Sequence, residues 1–223
     1  MKVSEALDSR LSVRAFLDKP VPEETVREIL ERASRAPSGG NLQPWHVIVL
    51  TGAARERLLD AVARKMPHAP RGEGTEYNIY PPDLKEPYRS RRFRIGEMMY
   101  EKLGIPREDK AARLMQFAQN YRFFGAPVGL LFTMDRTMQE GQWADLGMFM
   151  QSIMLLAREY GLDTCPQEAW AVWYKTIGEL FEIPEEHMLF CGMALGYRDP
   201  DAPVNRLRSE RAPLTEFARF IRD

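Results

Sequence analysis

Cysteine is scarce in this chain of 223 residues: only Cys165 and Cys191 occur, and neither has a second Cys or a His at metal-ligand spacing. That scarcity argues against a disulfide framework or a zinc site and leaves two thiols expected to be buried. Net charge is scarce too. Thirty-one Lys and Arg nearly cancel thirty-two Asp and Glu, so neither a polyanion nor a membrane surface is the expected partner. No run approaches the ~18 apolar residues of a membrane span. The opening MKVSEALDSRLSVRAF carries charge throughout with no apolar core, so no signal peptide is expected and the cytoplasm is the expected compartment. G-x-G-x-x-G after a strand, G-x-x-x-x-G-K-[ST] and H-E-x-x-H are all missing, and His46, His68 and His187 are scattered. Rossmann, P-loop and metalloprotease sites are thereby disfavoured, and metal-free chemistry is expected.

What is present is a hydrophobic share of 44% without internal repeats, which suits one domain spanning residues 1–223. From Pro22-Glu23-Glu24 a helix is predicted with Val26, Ile29, Leu30 and Ala33 on one face, stopped by Pro37-Ser38-Gly39-Gly40. Trp45 to Leu50 reads as a strand, and Ala53 to Met66 as a helix. Between Pro67 and about Pro87 the composition turns to Pro, Gly, Tyr and charge, an irregular excursion. Amphipathic segments over Arg91–Leu103 and Arg107–Asn120 follow, split by Gly104-Ile105-Pro106, so that residues 67–120 form a lid-like helical stretch. Ala126 to Phe132 predicts a second strand, with its Pro at the start. Trp143 to Tyr160 is apolar on most faces and predicts a long helix buried all round, in the core or across a subunit interface. A last strand over Met188–Tyr197 and a terminal helix from Pro213 complete an α+β pattern.

Three elements carry candidate chemistry. Arg10-Leu11-Ser12-Val13-Arg14 concentrates two guanidinium groups and a hydroxyl, donors suited to a phosphate. A second arginine-rich stretch, Asn205 to Pro213, holds Arg208 and Arg211, and the two clusters can converge on one anion. Pro37-Ser38-Gly39-Gly40-Asn41-Leu42-Gln43-Pro44-Trp45 joins glycines, which let backbone approach a flat ligand, to amide and hydroxyl groups that match a heterocycle edge. Each element alone also reads as an ordinary surface turn or connection.

Taken together, R-x-S-x-R-x-F at Arg10–Phe16, A-P-S-G-G-N-x-Q-P-W at Ala36–Trp45, F-F-G-A-P-V at Phe123–Val128, G-L-D-T-C-P-Q-E at Gly161–Glu168 and the Gly196–Pro213 block resemble the nitroreductase family, especially its nitrobenzoate and nitroaromatic reductase branch. The resemblance implies a nitroreductase-like fold: a small mixed or antiparallel sheet packed by helices, a long buried central helix and an intertwined homodimer. It implies FMN at the subunit interface, with Arg10, Leu11, Ser12 and Arg14 on the phosphate and pyrimidine side, joined by Arg208 and Arg211. Pro37, Ser38, Gly39 and Asn41 would come from the partner subunit. Pro166, Gln167 and Glu168 would lie against the flavin ring, with the Glu168 N–H near N5, and Asn120 (or else Gln119 or Arg122) would bind the pyrimidine. No side chain is named as an essential catalyst, because the cofactor carries the redox chemistry. The implied activity is ping-pong reduction of nitroaromatic, quinone or related acceptors with NAD(P)H as co-substrate. The Tyr- and Arg-rich stretch Tyr77–Arg94 reads either as a cover over the flavin that binds an aromatic, anionic acceptor by stacking and pairing or as a solvated amphipathic helix with its leading loop. Alternatives are enone reduction, reductive dehalogenation, a dimeric binder of a phosphorylated ligand, or an interaction module built on that stretch.

Overall fold

Segments of period 3.6 and period 2 alternate along the chain. The computed structural model, which describes residues 1–222, resolves them into eight α-helices and four strands among those residues. A short α1 (Val3–Ser9) precedes α2 (Glu23–Ala33), which buries Val26, Ile29 and Ala33 while Glu23–Arg27 and Glu28–Arg32 pair along its outer face. β1 (His46–Leu50) leads into α3 (Gly52–Lys65), which buries Leu58, Leu59 and Val62. The excursion carries α4 (Tyr88–Lys102) and α5 (Lys110–Ala118). Then come β2 (Val128–Asp135), α6 (Glu140–Glu159), β3 (Asp163–Gln167), α7 (Tyr174–Phe181), β4 (His187–Gly196) and α8 (Leu214–Phe217).

The strands form one sheet in the order β1-β2-β4-β3, antiparallel at every pairing. Both faces are covered, which explains why β2 and β4 are nearly continuous apolar runs rather than alternating ones. Val128, Leu130, Phe132 and Met134 of β2 pack with α2 and α6, and Leu131 points to the opposite core with α3 and Trp170, Trp173 and Ile177. On that second face, aromatic rings press against the sheet where it carries glycine. A β-carbon at Gly129 would come within 2.5 Å of the Phe123 ring, and one at Gly192 would collide with Trp170.

The sheet takes the antiparallel one of the two forms expected. Four further points refine the sequence expectations. The fourth strand, β3, was expected only as a ligand-facing block; Pro166 sits in it without penalty because β3 is an edge strand. The second lid helix starts at Lys110, not Arg107, because the Asp109 carboxylate caps it by accepting from the Ala112 N–H at 2.9 Å. The terminal helix from Pro213 is a single turn. Finally, within the single chain α6 leaves one stripe uncovered, which the expected burial in the core or across a subunit interface leaves open: Ala144, Gly147 and Met148 are exposed, the last by 40%, with Gln151 and Leu155 half-buried along it.

Candidate active site

The site is assembled by polar groups that tie distant parts of the chain together. Residues 10–17 run extended beside β3: the Val13 N–H donates to the Thr164 carbonyl at 3.0 Å, and Ser12 bridges to Thr164. Farther on, the Phe16 N–H donates to Phe124 and that of Leu17 to Tyr197. Asn205, buried, locks this segment to the C-terminal arginine stretch. Its side-chain oxygen accepts from the Arg14 N–H at 2.9 Å, and its amide donates to the carbonyls of Ala15 and Asp199 at 2.8 Å each. Behind β3, Asp163, 2% exposed, accepts from Arg198 at 2.5 and 2.7 Å and lies 2.8 Å from Arg158. The same two arginines reach the hydroxyl and carbonyl of Ser9, so the network fixes the residue preceding Arg10.

This frame gathers the first two arginine elements. Arg10 is half-buried, and that burial, reinforced by the nearby Arg211 guanidinium, lowers its pKa from the ordinary arginine value. Burial raises the Cys165 thiol, against the opposing pull of Arg14 and Arg10. Two cations that repel one another across a partly desolvated space define a place for an anion. Arg14 and Arg211 spend N–H groups on nearby carbonyls, those of Ser12, Ser209 and Glu210, and Arg208 donates to Asp8 O at 2.7 Å. Among the described residues, none of Arg10, Arg14, Arg208 and Arg211 is paired with a carboxylate. Leu11 and Ser12 sit half-buried between them.

Next to Arg14 a cleft of about 720 Å³ opens between the sheet and the lid helices. That lies within the ~300–1,000 Å³ usual for small-molecule sites. Pro166, Gln167 and Glu168 form one wall with Asn120, Phe124, Met150 and Cys191, and Tyr80, Ile95, Met99, Tyr100 and Phe117 form the other. Of Asn120, Gln119 and Arg122, only Asn120 lines it. The buried Gln167 amide donates to the Asn120 carbonyl at 2.8 Å and to its side-chain oxygen at 3.2 Å, while Gln167 Oε1 has no partner. A buried acceptor left open is costly unless a ligand supplies the donor. Desolvation in the cleft lifts the Glu168 carboxyl above the usual carboxylate range.

The third element behaves differently. Pro37, Gly39 and Asn41 are exposed, Ser38 is half-buried, and none of the four lines this chain's own cleft. The loop is nonetheless shaped. Gly40, Asn41 and Gln43 have φ of 57°, 58° and 51°, the Gln43 N–H donates to Ser38 Oγ at 3.0 Å, and the Gly39 N–H donates to Asp145 of α6 at 3.1 Å. Left-handed backbone costs a non-glycine residue about 1–2 kcal/mol, so the loop is held in this form by its surroundings.

Sequence reasoning assigned no role to Asp163 or Asn205, although both fall inside the quoted motifs. Each has one near partner, Arg158 and Asp199, but the contacts that tie the site together are distant, Arg198 at 35 residues from Asp163 and Arg14 at 191 from Asn205, and sequence alone does not pair them. Tyr80 and Arg92 of the cleft mouth stood only within the general Tyr/Arg-rich stretch.

With this geometry in hand, comparison with known proteins is informative. The profile of the nitroreductase family matches residues 7–197. A nitrobenzene nitroreductase of Ectopseudomonas oleovorans is 38% identical over 221 residues, 99% of this chain and 97% of that protein. A 4-nitrobenzoate reductase of Pseudomonas putida is 39% identical over 215 residues, 96% of this chain and 92% of that one. Among solved structures, the FMN and NADPH-dependent nitroreductase NfnB from sphigopyxis sp. strain HMH superposes with a TM-score of 0.97 at 48% identity, covering 100% of both chains. This chain, whose cleft is lined by Arg14 and the Gln167 wall, belongs to the nitroreductase family.

Proposed function

We propose that this protein is an FMN-dependent oxidoreductase that takes hydride from NAD(P)H and reduces nitroaromatic or related aromatic and quinone acceptors. The observation that carries the reading is Arg14, without a carboxylate partner among the described residues, on the lining of a cleft whose wall presents the open acceptor of Gln167, while Arg211, which acts electrostatically on Arg10, lines a separate neighbouring pocket. Arg10, Ser12, Arg14, Arg208 and Arg211 would hold the phosphate and pyrimidine side of FMN, with Leu11 between them. Gln167 and Asn120 would meet the hydrogen-bonding edge of the ring, and Pro166 and the Glu168 backbone would support its face. FMN, when bound, supplies hydride acceptance and donation at N5. The chain's own contribution is to bind, orient and desolvate: cationic side chains and N–H donors favour negative charge at the site, and Ile95, Met99, Phe117 and Phe124 exclude water. One cleft for both substrates implies that NAD(P)H and the acceptor take turns, a ping-pong scheme.

The working form in this reading is a homodimer of single-domain subunits with FMN at the interface. It is supported by the exposed stripe Ala144, Gly147 and Met148 of α6, and by the exposed Pro37–Gln43 loop beside it. Leu214, Phe217, Phe220 and Ile221 add exposed apolar side chains near the C-terminal end. Pro37, Ser38, Gly39 and Asn41 would then complete the partner's site. No helix among the described residues is long and apolar enough to cross a membrane. We place the enzyme in the cytoplasm, where two unpaired thiols and an NAD(P)H supply are at home.

Spectroscopy tests the proposal. The purified protein, supplied with FMN, is expected to show flavin absorbance that NADPH bleaches without oxygen and nitrobenzene restores, with parallel double-reciprocal lines and a dimer in sedimentation. A colourless protein that ignores FMN would overturn it in favour of a binder of some other phosphorylated ligand. Intersecting lines would remove the shared-cleft scheme alone.

A further inference from the structure

Equal similarity to a nitrobenzene reductase and to a 4-nitrobenzoate reductase leaves the charge of this chain's acceptor undetermined, so a side chain in the cleft has to decide it. Helix α4 carries four arginines. Arg89 pairs with Glu86 at 2.9 Å, Arg91 with Glu216 at 2.5 Å and Arg94 with Glu210 at 2.6 Å. Among the described residues Arg92 pairs with no carboxylate. It belongs instead to the stripe Arg92, Ile95, Gly96, Met99 at i, i+3, i+4, i+7 that faces the cleft. Its guanidinium lies 3.9 Å from the centroid of the Tyr80 ring, which also lines the cleft.

Stacking occupies the face of a guanidinium and leaves its N–H edges available, the geometry that accepts a carboxylate with two parallel hydrogen bonds. The stack also fixes a side chain that would otherwise lose rotamer freedom on binding. Below Arg92 the stripe is apolar, with Ile95 and Met99 opposite Phe124, so an aromatic ring can enter with its charged group held at the mouth. Among the described residues Glu168 is the only carboxylate on the cleft lining, and desolvation raises its carboxyl above the usual range.

We infer that Arg92, held against Tyr80, is the residue that selects a carboxylated aromatic acceptor over a neutral one. The inference rests on the proposed nitroreductase activity and names the substrate class of that same cleft. The chemistry is charge recognition only; the redox step is the same for both acceptors.

The test compares 4-nitrobenzoate with nitrobenzene in wild type and in Arg92→Leu, Arg92→Lys and Tyr80→Leu, with NADPH-driven bleaching measured separately by stopped flow. The wild type is expected to prefer 4-nitrobenzoate. In Arg92→Leu the ratio of kcat/KM for 4-nitrobenzoate to that for nitrobenzene should fall about 10–100-fold, chiefly through KM, as for loss of a charge-assisted bidentate contact. Arg92→Lys should recover part of the ratio, and Tyr80→Leu should lose part of it. An unchanged ratio, or a loss confined to the bleaching step, which would assign Arg92 to the phosphates of NADPH, overturns the inference while leaving the activity in place. Failure of NADPH to bleach the wild-type flavin overturns the activity and this inference together. Flavin absorbance of each variant separates lost recognition from a lost fold.

Discussion

At the floor of the cleft, β3 and residues 10–17 are fixed by buried polar groups that reach across the chain: Asp163 to Arg158 and Arg198, and Asn205 to Arg14, Ala15 and Asp199. Over its mouth, α4 and α5 are tight with each other and loosely attached elsewhere. Arg113 joins them by a bidentate contact to Glu97 at 2.6 and 3.1 Å and stacks on Tyr100. Yet neither helix has a fully buried residue, and α4 meets the C-terminal stretch through the exposed pairs Arg91–Glu216 and Arg94–Glu210. The contrast matches the two tasks. A cofactor phosphate needs donors that do not move, because each misplacement loses charge-assisted bonds, whereas substrates that must enter and leave need a wall that yields.

The largest expected effect breaks the rigid side. Asp163→Ala removes a buried carboxylate and leaves two half-buried guanidinium groups without it. Removing one member of such a network costs roughly 3–5 kcal/mol. At about 2–4 °C per kcal/mol for a chain of this size, Tm should fall by roughly 6–20 °C. A thermal melt measures that shift, and urea unfolding monitored by tryptophan fluorescence measures the free-energy loss. A loss under about 1 kcal/mol, the range of exposed pairs, would show that the floor is no more firmly held than the lid.

A smaller effect should follow Asn205→Ala, which strands the Arg14 N–H and two carbonyls; an unsatisfied buried polar group costs about 1–3 kcal/mol. Its signature differs from that of Asp163→Ala. Asn205 sits between the two arginine elements, so FMN affinity, read by flavin fluorescence quenching, should weaken along with stability. Asn205→Asp keeps the acceptor for Arg14 but loses both donors, and should fall between Ala and wild type in stability.

Which parts of this arrangement the sequence discloses follows the same division. Helices α2, α3 and α6 and strands β1, β2 and β4 bury one face or both, and burial writes itself as periodicity or as an apolar run. The arginine clusters are legible as donor sets, and the Pro37–Gln43 loop by its glycines and amides. Strand β3, reading Asp-Thr-Cys-Pro-Gln, has no alternation to betray it, because its register comes from β4 and from the bridge to Ser12. Helix α7 ends on Glu182 at φ 52°, a position where glycine is the usual stop signal, and α1 buries only Ala6. The Asp163 and Asn205 anchors escape for a related reason. The Asn205–Arg14 bond spans 191 residues and the Asp163–Arg198 pair 35, pairings that tertiary packing sets and local sequence does not encode.

The smallest effect on stability should come from the lid, and there its absence is the informative result. Glu210→Gln with Glu216→Gln removes both links from α4 to the C-terminal stretch. Those pairs are about half exposed or more on every partner, a setting in which ion pairs contribute about 0–1 kcal/mol in total stability. Global unfolding should therefore barely change. Local opening is governed by the contacts of the segment itself, so amide exchange across residues 88–102 should quicken relative to β2 and β4, and more so at low salt, where wild-type pairing is strongest. Equal acceleration in the sheet would mean that the lid and floor open as one unit. The proposed division between a fixed cofactor side and a yielding substrate side would then be lost.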